Sequence, residues 1–290
     1  MNKNILYLLF ISLSVVNVSC TSEDNSPKRA GKVITVALTP TMDCFPLYVA
    51  EKAGIAASCG YALDFQTHAS RSDCDTALIY GSAIAIMTDS VRASSLSRRI
   101  KDVPDSIKCI SADSLSYSYH NNMKYYFFTN HKSRIKKPSQ LADRMIALDR
   151  NSGEAQVAQR LVDSLKISDK CFLVQMQNIN TRVQMLTSNS MDAAVLPEPQ
   201  ATKMRTARHN MIYSVTADSR ATSGCLVSVK NHADLKRIYN AAVDTINKYG
   251  IHRYDSVMVT CMHMLPEQAA KVPAQKFQKV RERNAFMIKR

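Results

Sequence analysis

The sequence predicts an α/β protein with two lobes of similar build, and two observations lead to this prediction. First, Leu186–Thr202 reads as a helix end, a polar turn, a short apolar strand and a proline-rich exit into a helix, and Leu78–Ala93 repeats this pattern at an offset of 108 residues. Second, each half opens on a strand, Val33–Leu38 or Met145–Asp149, that leads into a polar loop and a helix. These matching units predict two α/β lobes with a cleft between them, although any two such units in a long chain look partly alike.

The N-terminus predicts export. Met1–Ser19 carries one lysine, an apolar run from Ile5 to Val16 that is too short to span a bilayer, and small residues before Cys20. We therefore interpret residues 1–19 as a secretory signal peptide. No other stretch of the sequence approaches the ~18 apolar residues of a membrane-spanning helix.

Cys20 is the predicted site of a lipid anchor. Val18-Ser19-Cys20 resembles a lipobox, whose cysteine is acylated and becomes the first residue of the mature protein, although Asn17 stands where leucine is usual. The polar, acidic residues after Cys20 read as a tether over residues 20–32, which places the protein in the periplasm or on the cell surface. The alternative is a plain secretory peptide with an unmodified Cys20.

The composition fits a globular body and argues against nucleic-acid binding. Removing the signal peptide leaves about 270 of the 290 residues, more than one compact core usually takes, and 46% of the chain is hydrophobic. The formal charge of +14 becomes +13 without Lys3. Because the basic residues are scattered and are not interleaved with aromatic residues, we interpret this charge as a generally basic surface.

The cysteines and histidines predict neither a disulfide framework nor a metal site. Seven cysteines follow Cys20 at long, irregular spacings without a CxxC motif, so the sequence assigns no disulfide. The seven histidines show no ligand-like spacing relative to the cysteines. We therefore expect no bound metal.

In residues 33–122, the predicted first part of lobe one, strands alternate with helices. Loop Thr39–Cys44 leads into the first helix, and a second loop ends where Ser72 or Asp73 would cap the next one. The predicted elements are helix Phe45–Ala53, strand Tyr61–Gln66, a helix ending at Tyr80, strand Ala83–Met87, a helix to about Ser97, strand Lys108–Ala112 and a loop over residues 114–122.

Residues 123–222 are predicted to cross into lobe two and form it, and residues 223–290 to return and add helices to lobe one. Pro197-Glu198-Pro199 must leave its sheet, because proline donates no N–H to a strand ladder. The predicted strands are Lys124–Asn130, Met145–Asp149, Cys171–Gln175, Asp192–Leu196, Met211–Val215 and Cys225–Lys230, and the predicted helices run from Ser152 to about Leu165, over Ile179–Thr187, from Gln200, and over 232–249.

Four segments carry a resemblance to a known family: LTPTMDCFPLYVAEKAGI, DTALIYGSAIAIMTDSVRA, IALDRNSGEA and MLTSNSMDAAVLPEPQAT. Over roughly Val33 to Lys230 the chain resembles the substrate-binding proteins of ABC importers in the nitrate, sulfonate, taurine and thiamine-precursor group. The resemblance implies the type II periplasmic binding protein fold, α/β with two lobes and two crossover strands. It also implies a monomer without a cofactor, which closes on a small-molecule ligand and delivers it to a membrane permease with its ATPase.

The predicted ligand-binding residues follow the strands of both lobes, because open α/β sheets bind ligands beyond the carboxyl ends of their strands, beside helix N-termini. Hydroxyl groups and free backbone N–H groups would face the ligand there. Carboxylates would accept hydrogen bonds from ligand amines or from the opposite lobe, although Asp89 has an equally good interpretation as a helix cap. The candidates are Thr41, Asp43, Thr88, Asp89, Ser152, Gly153, Glu154 and Glu198.

The acidic candidates bear on the type of ligand. Asp43, Asp89 and Glu198 would lie in the same cleft, where buried carboxylates repel an anion or raise one another's pKa. A bare nitrate or sulfonate is therefore a poor match, and we expect a polar or zwitterionic ligand that contains nitrogen.

Two other functions stay open on the same fold. The fold also occurs in enzymes of thiamine-pyrimidine synthesis and menaquinone biosynthesis, but the sequence shows no Ser/His/Asp order, paired carboxylates or glycine-rich phosphate loop, and we expect no enzymatic activity. A ligand-sensing subunit of a membrane receptor would carry the same clamp and the same export signal.

Overall fold

The computed structural model of the chain describes residues 31–120, 123–216 and 223–282. The predicted signal peptide, Cys20 and the tether as far as residue 30 lie outside the described residues. Within these ranges the strands are β1 (Lys32–Leu38), β2 (Tyr61–Thr67), β3 (Ala85–Asp89), β4 (Leu115–His120), β5 (Lys124–Thr129), β6 (Met145–Leu148), β7 (Phe172–Gln175), β8 (Ala193–Leu196), β9 (Asn210–Thr216), β10 (Gly224–Val229) and β11 (Arg281–Glu282).

The helices lie between and after these strands. Short 3₁₀ turns join several of them, as at Met42–Cys44 before the first helix. The helices are α1 (Phe45–Lys52), α2 (Ile55–Ser58), α3 (Arg71–Ile79), α4 (Ser90–Lys101), α5 (Gly153–Ser164), α6 (Ile179–Thr187), α7 (Gln200–Thr206), α8 (Asp234–Tyr249), α9 (Asp255–Met262) and α10 (Pro266–Ala269).

The strands form two sheets with the same plan. The first has the order β11-β4-β10-β3-β1-β2, and the second has the order β7-β6-β8-β5-β9. Each contains three parallel strands, β2-β1-β3 or β7-β6-β8, and an antiparallel strand beside the third, β10 or β5. Since β5 follows β4 of the first sheet, and β10 follows β9 of the second, the chain crosses between the sheets twice, as the sequence predicts.

The internal repeat in the sequence corresponds to a repeat in the structure. Ala85 opens β3 and Ala193 opens β8, the third parallel strands of the two sheets, and these residues are again 108 positions apart. Each strand follows a helix that packs on its own sheet, α3 in one lobe and α6 in the other. The two lobes are therefore built from the same strand–helix–strand unit.

Each sheet is the middle layer of a three-layer lobe. In the first lobe, α1, α8 and α9 cover one face around Tyr48 and Tyr239, whereas α3 and α4 cover the other around Leu78 and Leu96. In the second lobe, α5 covers one face and α6 with α7 the other. Because α8 packs on α1, the C-terminal helices complete the first lobe. Among the described residues, no helix is both long enough and apolar enough to cross a membrane.

One region of the first lobe differs from the sequence-based expectation. The strand predicted at Lys108–Ala112 is irregular chain, and the loop predicted over residues 114–122 contains β4. In Leu115–His120, serines alternate with larger residues. Leu115, Tyr117 and Tyr119 pack on the core, and the strand pairs with β10. The period-2 pattern of a half-buried strand is present there, but the serines lower its hydrophobicity.

Candidate functional site

The carboxyl ends of the parallel strands from both lobes meet in one buried region. Asp89 ends β3, and its Oδ1 accepts hydrogen bonds from the backbone N–H groups of Val91 at 3.0 Å and Arg92 at 3.1 Å, which caps α4. The same oxygen accepts a hydrogen bond at 3.2 Å from the N–H of Gly153, the first residue of α5 in the other lobe. A helix cap of the first lobe therefore also binds the helix N-terminus of the second.

Main-chain hydrogen bonds join the lobes at two further points. The N–H of Met42 donates to the carbonyl oxygen of Glu198 at 3.0 Å, and the N–H of Ile179 donates to the carbonyl oxygen of Ala69 at 3.1 Å. At the rim, Nζ of Lys203 on α7 donates to the carbonyl oxygen of His263 at 2.9 Å. With these contacts in place, the lobes are closed on each other.

Arg71 lies at the centre of the buried region. Ser70 caps α3, since its Oγ accepts a hydrogen bond from the N–H of Asp73 at 3.2 Å, so the caps predicted at Ser72 or Asp73 are wrong by two or three residues. The serine is in extended conformation, and Arg71 becomes the first helical residue. Its guanidinium lies 3.2 Å from Oδ2 of Asp43 and 3.6 Å from Oδ2 of Asp89.

Arg92, on the first turn of α4, connects two carboxylates of different lobes. Its Nε donates to Oδ2 of Asp75 at 2.7 Å, and its Nη1 donates to Oδ2 of Asp149 at 3.1 Å. Asp75 also pairs with Arg99, which lies two turns further along α4. Because the Arg92 side chain is only 3% exposed, this pair is desolvated in the closed form.

Arg182 has the corresponding role inside the second lobe. It pairs with the carboxylate of Glu154, and its Nη1 donates to the carbonyl oxygen of Val195 at 2.7 Å. Oε2 of Glu154 accepts a further hydrogen bond from the N–H of Asp149 at 2.9 Å. Ser152 caps α5, because its Oγ accepts from the N–H of Glu154 at 3.1 Å. The Glu154 carboxylate is thus held by the backbone N–H that follows β6 and by a buried cation.

Burial shifts the protonation equilibria in this cluster. Desolvation raises the pKa of Asp89 to about 6, although the Arg71 guanidinium and the N–H of Arg92 act in the opposite direction. The pKa of Tyr125 on β5 is also raised well above its usual value, first by burial and then by the charge of Asp89. Burial therefore favours the protonated form of the Asp89 carboxyl group.

Glu198 is held by its own lobe. Its carboxylate lies 2.5 Å from Nη2 of Arg205 and accepts a hydrogen bond from the N–H of Thr202 at 2.9 Å. The Arg205 guanidinium in turn lies over the ring of Tyr126, 5.2 Å from its centroid. The peptide bond from Glu198 to Pro199 is cis. The Glu198 carboxylate therefore stabilises the start of α7, while its carbonyl group contacts the first lobe.

Two cavities lie between the lobes. One, of about 350 Å³ including open solvent, is lined among others by Asp43, Glu198 and Phe277. The other, of about 270 Å³ on the same basis, lies among the strand-end loops. Its lining residues come from both lobes and are Thr39, Thr41, Ala69, Ser70, Arg71, Asp149, Glu154, Gln177, Ile179, Arg182 and Pro197. We call this second space the inter-lobe cavity.

All eight predicted ligand-binding residues are buried. Thr41 and Glu154 line the inter-lobe cavity, and Asp43 and Glu198 line the other one. Asp89, Ser152 and Gly153 form the capping contacts described above, and Oγ1 of Thr88 is buried without a hydrogen-bond partner among the described residues. The role of these eight residues in ligand binding stays a prediction. The acidic residues among them either pair with an arginine or cap a helix.

The buried arginines were not predicted as site residues, because the basic residues were interpreted together as a basic surface. Arg71, Arg92 and Arg182 have side chains only 7%, 3% and 3% exposed. Two of them lie in the first turn of equivalent helices, although the 108-residue repeat aligns Arg71 with Ile179 and not with Arg182. Arg71 opens α3 after β2, and Arg182 lies in the first turn of α6 after β7, which is the equivalent helix of the other lobe. Each of these helices is capped by a polar residue, Ser70 or Asn178.

The sequence matches no protein-family model and no curated protein. Solved structures do resemble this fold. The alkanesulfonate-binding protein of Xanthomonas axonopodis pv. citri, bound to MOPS, has a TM-score of 0.65 at 12% identity, over 87% of this chain and 87% of its own. The nitrate-binding protein of Synechocystis PCC 6803 has a TM-score of 0.63 at 10% identity, over 86% of this chain and 74% of its own.

A third similar structure is that of a Candida albicans gene product described as having the generic periplasmic binding protein fold. Its TM-score is 0.62 at 11% identity, over 82% of this chain and 79% of its own. At such low identities the likeness is one of fold. It confirms the predicted fold class, a two-lobe α/β periplasmic binding protein fold, and the sulfonate- and nitrate-binding proteins belong to the group that the sequence resembles.

Proposed function

We propose that this chain is an extracytoplasmic solute-binding protein, which closes two lobes on a small polar or zwitterionic organic ligand and delivers it to an ABC permease. The observation that carries the proposal is the convergence of both lobes on one cavity. Strand-end loops and helix N-termini of each lobe line this cavity, and an ion pair and several hydrogen bonds join the lobes around it. The similar solved structures, which include sulfonate- and nitrate-binding proteins, support it.

The proposal includes a non-catalytic role. Asp43, Asp149 and Glu154 each pair with a buried arginine, which fits fixed charges that hold the lobes and the ligand better than groups that exchange protons. Among the described residues, no group of three or more histidine, cysteine, aspartate or glutamate side chains has an arrangement that would hold a metal ion. The chain's own charges are therefore the means of ligand recognition in this proposal.

The site of action is also part of the proposal. The lipobox-like Val18-Ser19-Cys20 supports a lipid anchor on Cys20, with the binding protein acting as a monomer beside the permease and its ATPase. A Cys20→Ser variant tests the anchor. We expect it to appear in the soluble extracytoplasmic fraction and to lose label from a radioactive fatty acid, whereas equal labelling of both forms would contradict acylation at Cys20.

The binding function is tested on protein purified from its own organism. Native mass spectrometry is expected to show a bound mass of a few hundred daltons or less, and removal of that ligand by partial unfolding and dialysis should increase the radius of gyration in X-ray scattering. Addition of the released ligand should restore the compact form. If no solute is retained and no extract of the growth medium compacts the protein, the proposal is wrong. Copurification with a sensor kinase rather than a permease would support sensing instead.

A further inference from the structure

The loop between β5 and β6 carries a dense group of cations. Four of the six residues 132–137 are lysine or arginine, and residues 131–142 contain no aspartate or glutamate. All four are exposed, and within the described part of the chain none of them belongs to an ion pair. Unpaired cations at this spacing repel one another, and an anionic partner relieves that repulsion. The four residues are Lys132, Arg134, Lys136 and Lys137.

The loop holds these cations on a fixed backbone. Oγ1 of Thr129 donates to the carbonyl oxygen of Ile135 at 2.8 Å, and Nδ2 of Asn130 donates to the carbonyl oxygens of Leu186 and Thr187, each at 2.9 Å. Ile135 itself is buried in the core of the second lobe. The basic side chains therefore extend from a preformed turn, and a partner that binds them has to order little of the chain.

A second basic turn lies against this loop. The backbone N–H of His131 donates to Nδ1 of His209 at 3.2 Å, and Nζ of Lys136 donates to Oδ1 of Asn210 at 2.9 Å. These contacts place Arg208, which is also exposed, beside the loop. The basic surface therefore includes a fifth cation from a distant part of the sequence.

This basic surface lies at the end of the second lobe that points away from the cleft. Leu196 ends β8 at the cleft, and β5 runs antiparallel to β8, so β5 ends at the outer end of the sheet. Since β6 and β7 run parallel to β8, they begin at this same outer end. The surface is thus separate from the inter-lobe cavity and from the contacts that close the lobes.

Two exposed apolar side chains lie at the same outer end. Met145 opens β6 and Phe172 opens β7, and these register partners are 41% and 61% exposed. The N–H of Phe172 donates to the carbonyl oxygen of Arg144 at 3.0 Å, and Sγ of Cys171 donates to that of Leu141, directly after the turn that follows the basic loop. The apolar pair therefore continues the basic surface. We call the basic loop, Arg208 and this pair the distal surface.

The composition of the distal surface favours a lipid surface over a soluble polyanion. Residues 131–145, 166–172 and 207–209 contain eight lysine or arginine residues and two aspartates. An anionic bilayer offers phosphate groups to the cations and a headgroup boundary in which exposed phenylalanine and methionine side chains leave water. A soluble polyanion would leave the apolar pair in water.

The N-terminal tether favours a lipid surface over a protein partner. β1 begins at Lys32, at the outer end of the first lobe, so the tether and the distal surface lie at opposite ends of the molecule. The eleven residues 20–30 span at most about 36–40 Å, which leaves the first lobe free to lie along the bilayer. An anchor on Cys20 would keep a bilayer at high local concentration, and two membrane signals bind more tightly than one.

We propose that the distal surface binds the headgroups of an anionic phospholipid bilayer. The cations of the basic loop and Arg208 contact the lipid phosphates, and Phe172 with Met145 enters the boundary between headgroups and acyl chains. This function goes beyond solute binding and does not depend on what the cleft holds.

A tryptophan reporter tests the inference, because the chain contains no tryptophan. Phe172→Trp is made in the mature Cys20→Ser protein, which carries no lipid, and is mixed with vesicles of phosphatidylglycerol or of phosphatidylcholine. We expect a blue shift of its emission and about ten-fold or tighter binding to phosphatidylglycerol, weakened by salt. The control is Tyr249→Trp, at an aromatic residue 58% exposed beside Lys248 on the first lobe, which should bind equally without a blue shift.

Two charge-matched variants locate the site. Replacing the four cations of the basic loop by glutamine is expected to weaken binding to phosphatidylglycerol vesicles about ten-fold or more, since each cation near an anionic surface contributes about five-fold. Replacing four exposed lysines of the first lobe by glutamine should change this binding less than about two-fold. Equal weakening by the two variants would assign the binding to net charge alone and overturn the inference. The four lysines of the control are Lys52, Lys101, Lys248 and Lys271.

Two other partners would give different results, and each result would overturn the inference. If poly-glutamate binds as tightly as phosphatidylglycerol vesicles and the emission of Phe172→Trp does not shift, the partner is an acidic protein segment. If the protein is a dimer in sedimentation equilibrium and Phe172→Ser makes it a monomer, the apolar pair belongs to an interface between two copies. Neither result bears on solute binding in the cleft.

Discussion

Nη1 of Arg92 lies 3.1 Å from Oδ2 of Asp149, and this ion pair joins the first turn of a helix in one lobe to the end of a strand in the other. Both side chains are at least 95% buried, and Arg92 is fixed from behind by Asp75, which belongs to its own lobe. The guanidinium is thus pre-oriented on the first lobe, and its second carboxylate arrives only when the lobes close. The ion pair therefore stabilises the closed form and does not contribute to the fold of either lobe.

We predict that Asp149→Asn shifts the protein toward an open form. A hydrogen bond to a charged group contributes about 1.5–3 kcal/mol, and in the open form Arg92 regains water, so ligand affinity should fall roughly 10- to 100-fold. The unfolding midpoint should change little. X-ray scattering of the ligand-free variant is expected to show a larger radius of gyration than the wild type.

A matched control for this variant is Asp244→Asn. Asp244 pairs with Lys279 on the surface of the first lobe, with side chains 62% and 46% exposed, and exposed pairs contribute about 0–1 kcal/mol. We expect this control to keep both the affinity and the radius of gyration. An Asp149→Asn protein as compact as the control, with unchanged affinity, would show that the pair does not hold the lobes.

Asp89 should make ligand binding depend on pH. The charged groups around it are Arg71 on α3, Arg92 on α4 and Glu154 on α5, and Tyr125 on β5 lies close enough for its pKa to be affected by Asp89. The pKa of about 6 belongs to Asp89 in the closed form, where burial favours the protonated carboxyl group. Opening of the lobes returns this group to water, so closure takes up a proton, and ligand affinity should rise as pH decreases from 7 through 6 and be constant above about pH 7.

This dependence is measurable as a proton taken up on binding. Calorimetry at pH 6 in two buffers with different ionisation enthalpies is expected to show the uptake of up to about half a proton. Asp89→Asn should abolish the uptake. Proton release, or an affinity that falls as pH decreases from 7 to 6, would contradict the burial of the Asp89 carboxyl group on closure.

The sequence was informative about the fold because its signals are local. The strand Met145–Leu148, the helix from Phe45 and the exit at Pro197 depend on periodicity, capping and proline geometry within a few residues, and the structure places them within a residue or two of the predicted bounds. The loop that was predicted in place of β4 shows the limit of this approach. Its serines conceal the alternation that pairing with β10 uses.

The site was less predictable because its partners are distant in sequence. Arg71 pairs with Asp43, and Arg92 with Asp149, only once the sheets and lobes are assembled. No rule of sequence spacing predicts such pairs. The acidic residues were therefore predicted as site residues, whereas the arginines that pair with them were not. The expectation of a nitrogen-containing ligand was based on unpaired acids, whereas in the structure Asp43 pairs with Arg71 and Glu198 with Arg205, and the expectation stays a prediction.

His120 should make the fold less stable in mild acid. It is 3% exposed, and burial lowers its pKa to about 4 from the usual 6.5. The folded state therefore favours the neutral ring, so stability is complete above pH 6.5 and is lost as pH falls toward 4, by about 2–3 kcal/mol at pH 4.5. Asp89, whose raised pKa favours its protonated form in the folded state, acts in the opposite direction between pH 6 and 3.8.

Comparison with a His120→Gln variant separates the contribution of His120 to the pH dependence of stability from that of Asp89. Asp89 is present in both proteins, so its contribution cancels in the difference between their free energies of unfolding. Urea unfolding at pH 7 and pH 4.5 should show the wild type losing about 2–3 kcal/mol more than the variant. Equal losses would mean that His120 is not held neutral.

The thiols should react in an order set by burial. Cys44 and Cys74 are fully buried, and burial raises the pKa of Cys74 to about 12 and that of Cys44 well above its usual value, so the reactive thiolate is scarce at both sites. Cys109 is exposed. With a thiol reagent at pH 8, Cys109 should be labelled first, and Cys44 and Cys74 only after denaturation, as read by peptide mass spectrometry. Labelling of Cys44 at the rate of Cys109 would contradict the closed packing around it.

Gly224 on β10 is expected to be intolerant of any side chain. β10 lies between β3 and β4, opposite Asp89 on one side and His120 on the other. A Cβ atom at Gly224 would lie 2.2 Å from Nε2 of His120, closer than any van der Waals contact allows. The imidazole is itself stacked near Tyr239, 6.2 Å between ring centroids, and has little room to retreat. Gly224→Ala should therefore destabilise the protein by about 1–3 kcal/mol, the usual cost of overpacking.

A double variant tests whether the contact with His120 is the cause of the destabilisation by Gly224→Ala. His120→Ala removes the ring that the new methyl group meets, so Gly224→Ala should cost less than about 0.5 kcal/mol in that background, and the two changes should be strongly non-additive. Urea unfolding at pH 7 of the wild type, both single variants and the double variant gives the coupling energy. Additive losses would trace the effect of Gly224→Ala to the strand backbone instead. The contact matters for the site because β10 also pairs with the strand that ends at Asp89, so a shift of β10 away from His120 would move the helix cap that holds Gly153 of the opposite lobe.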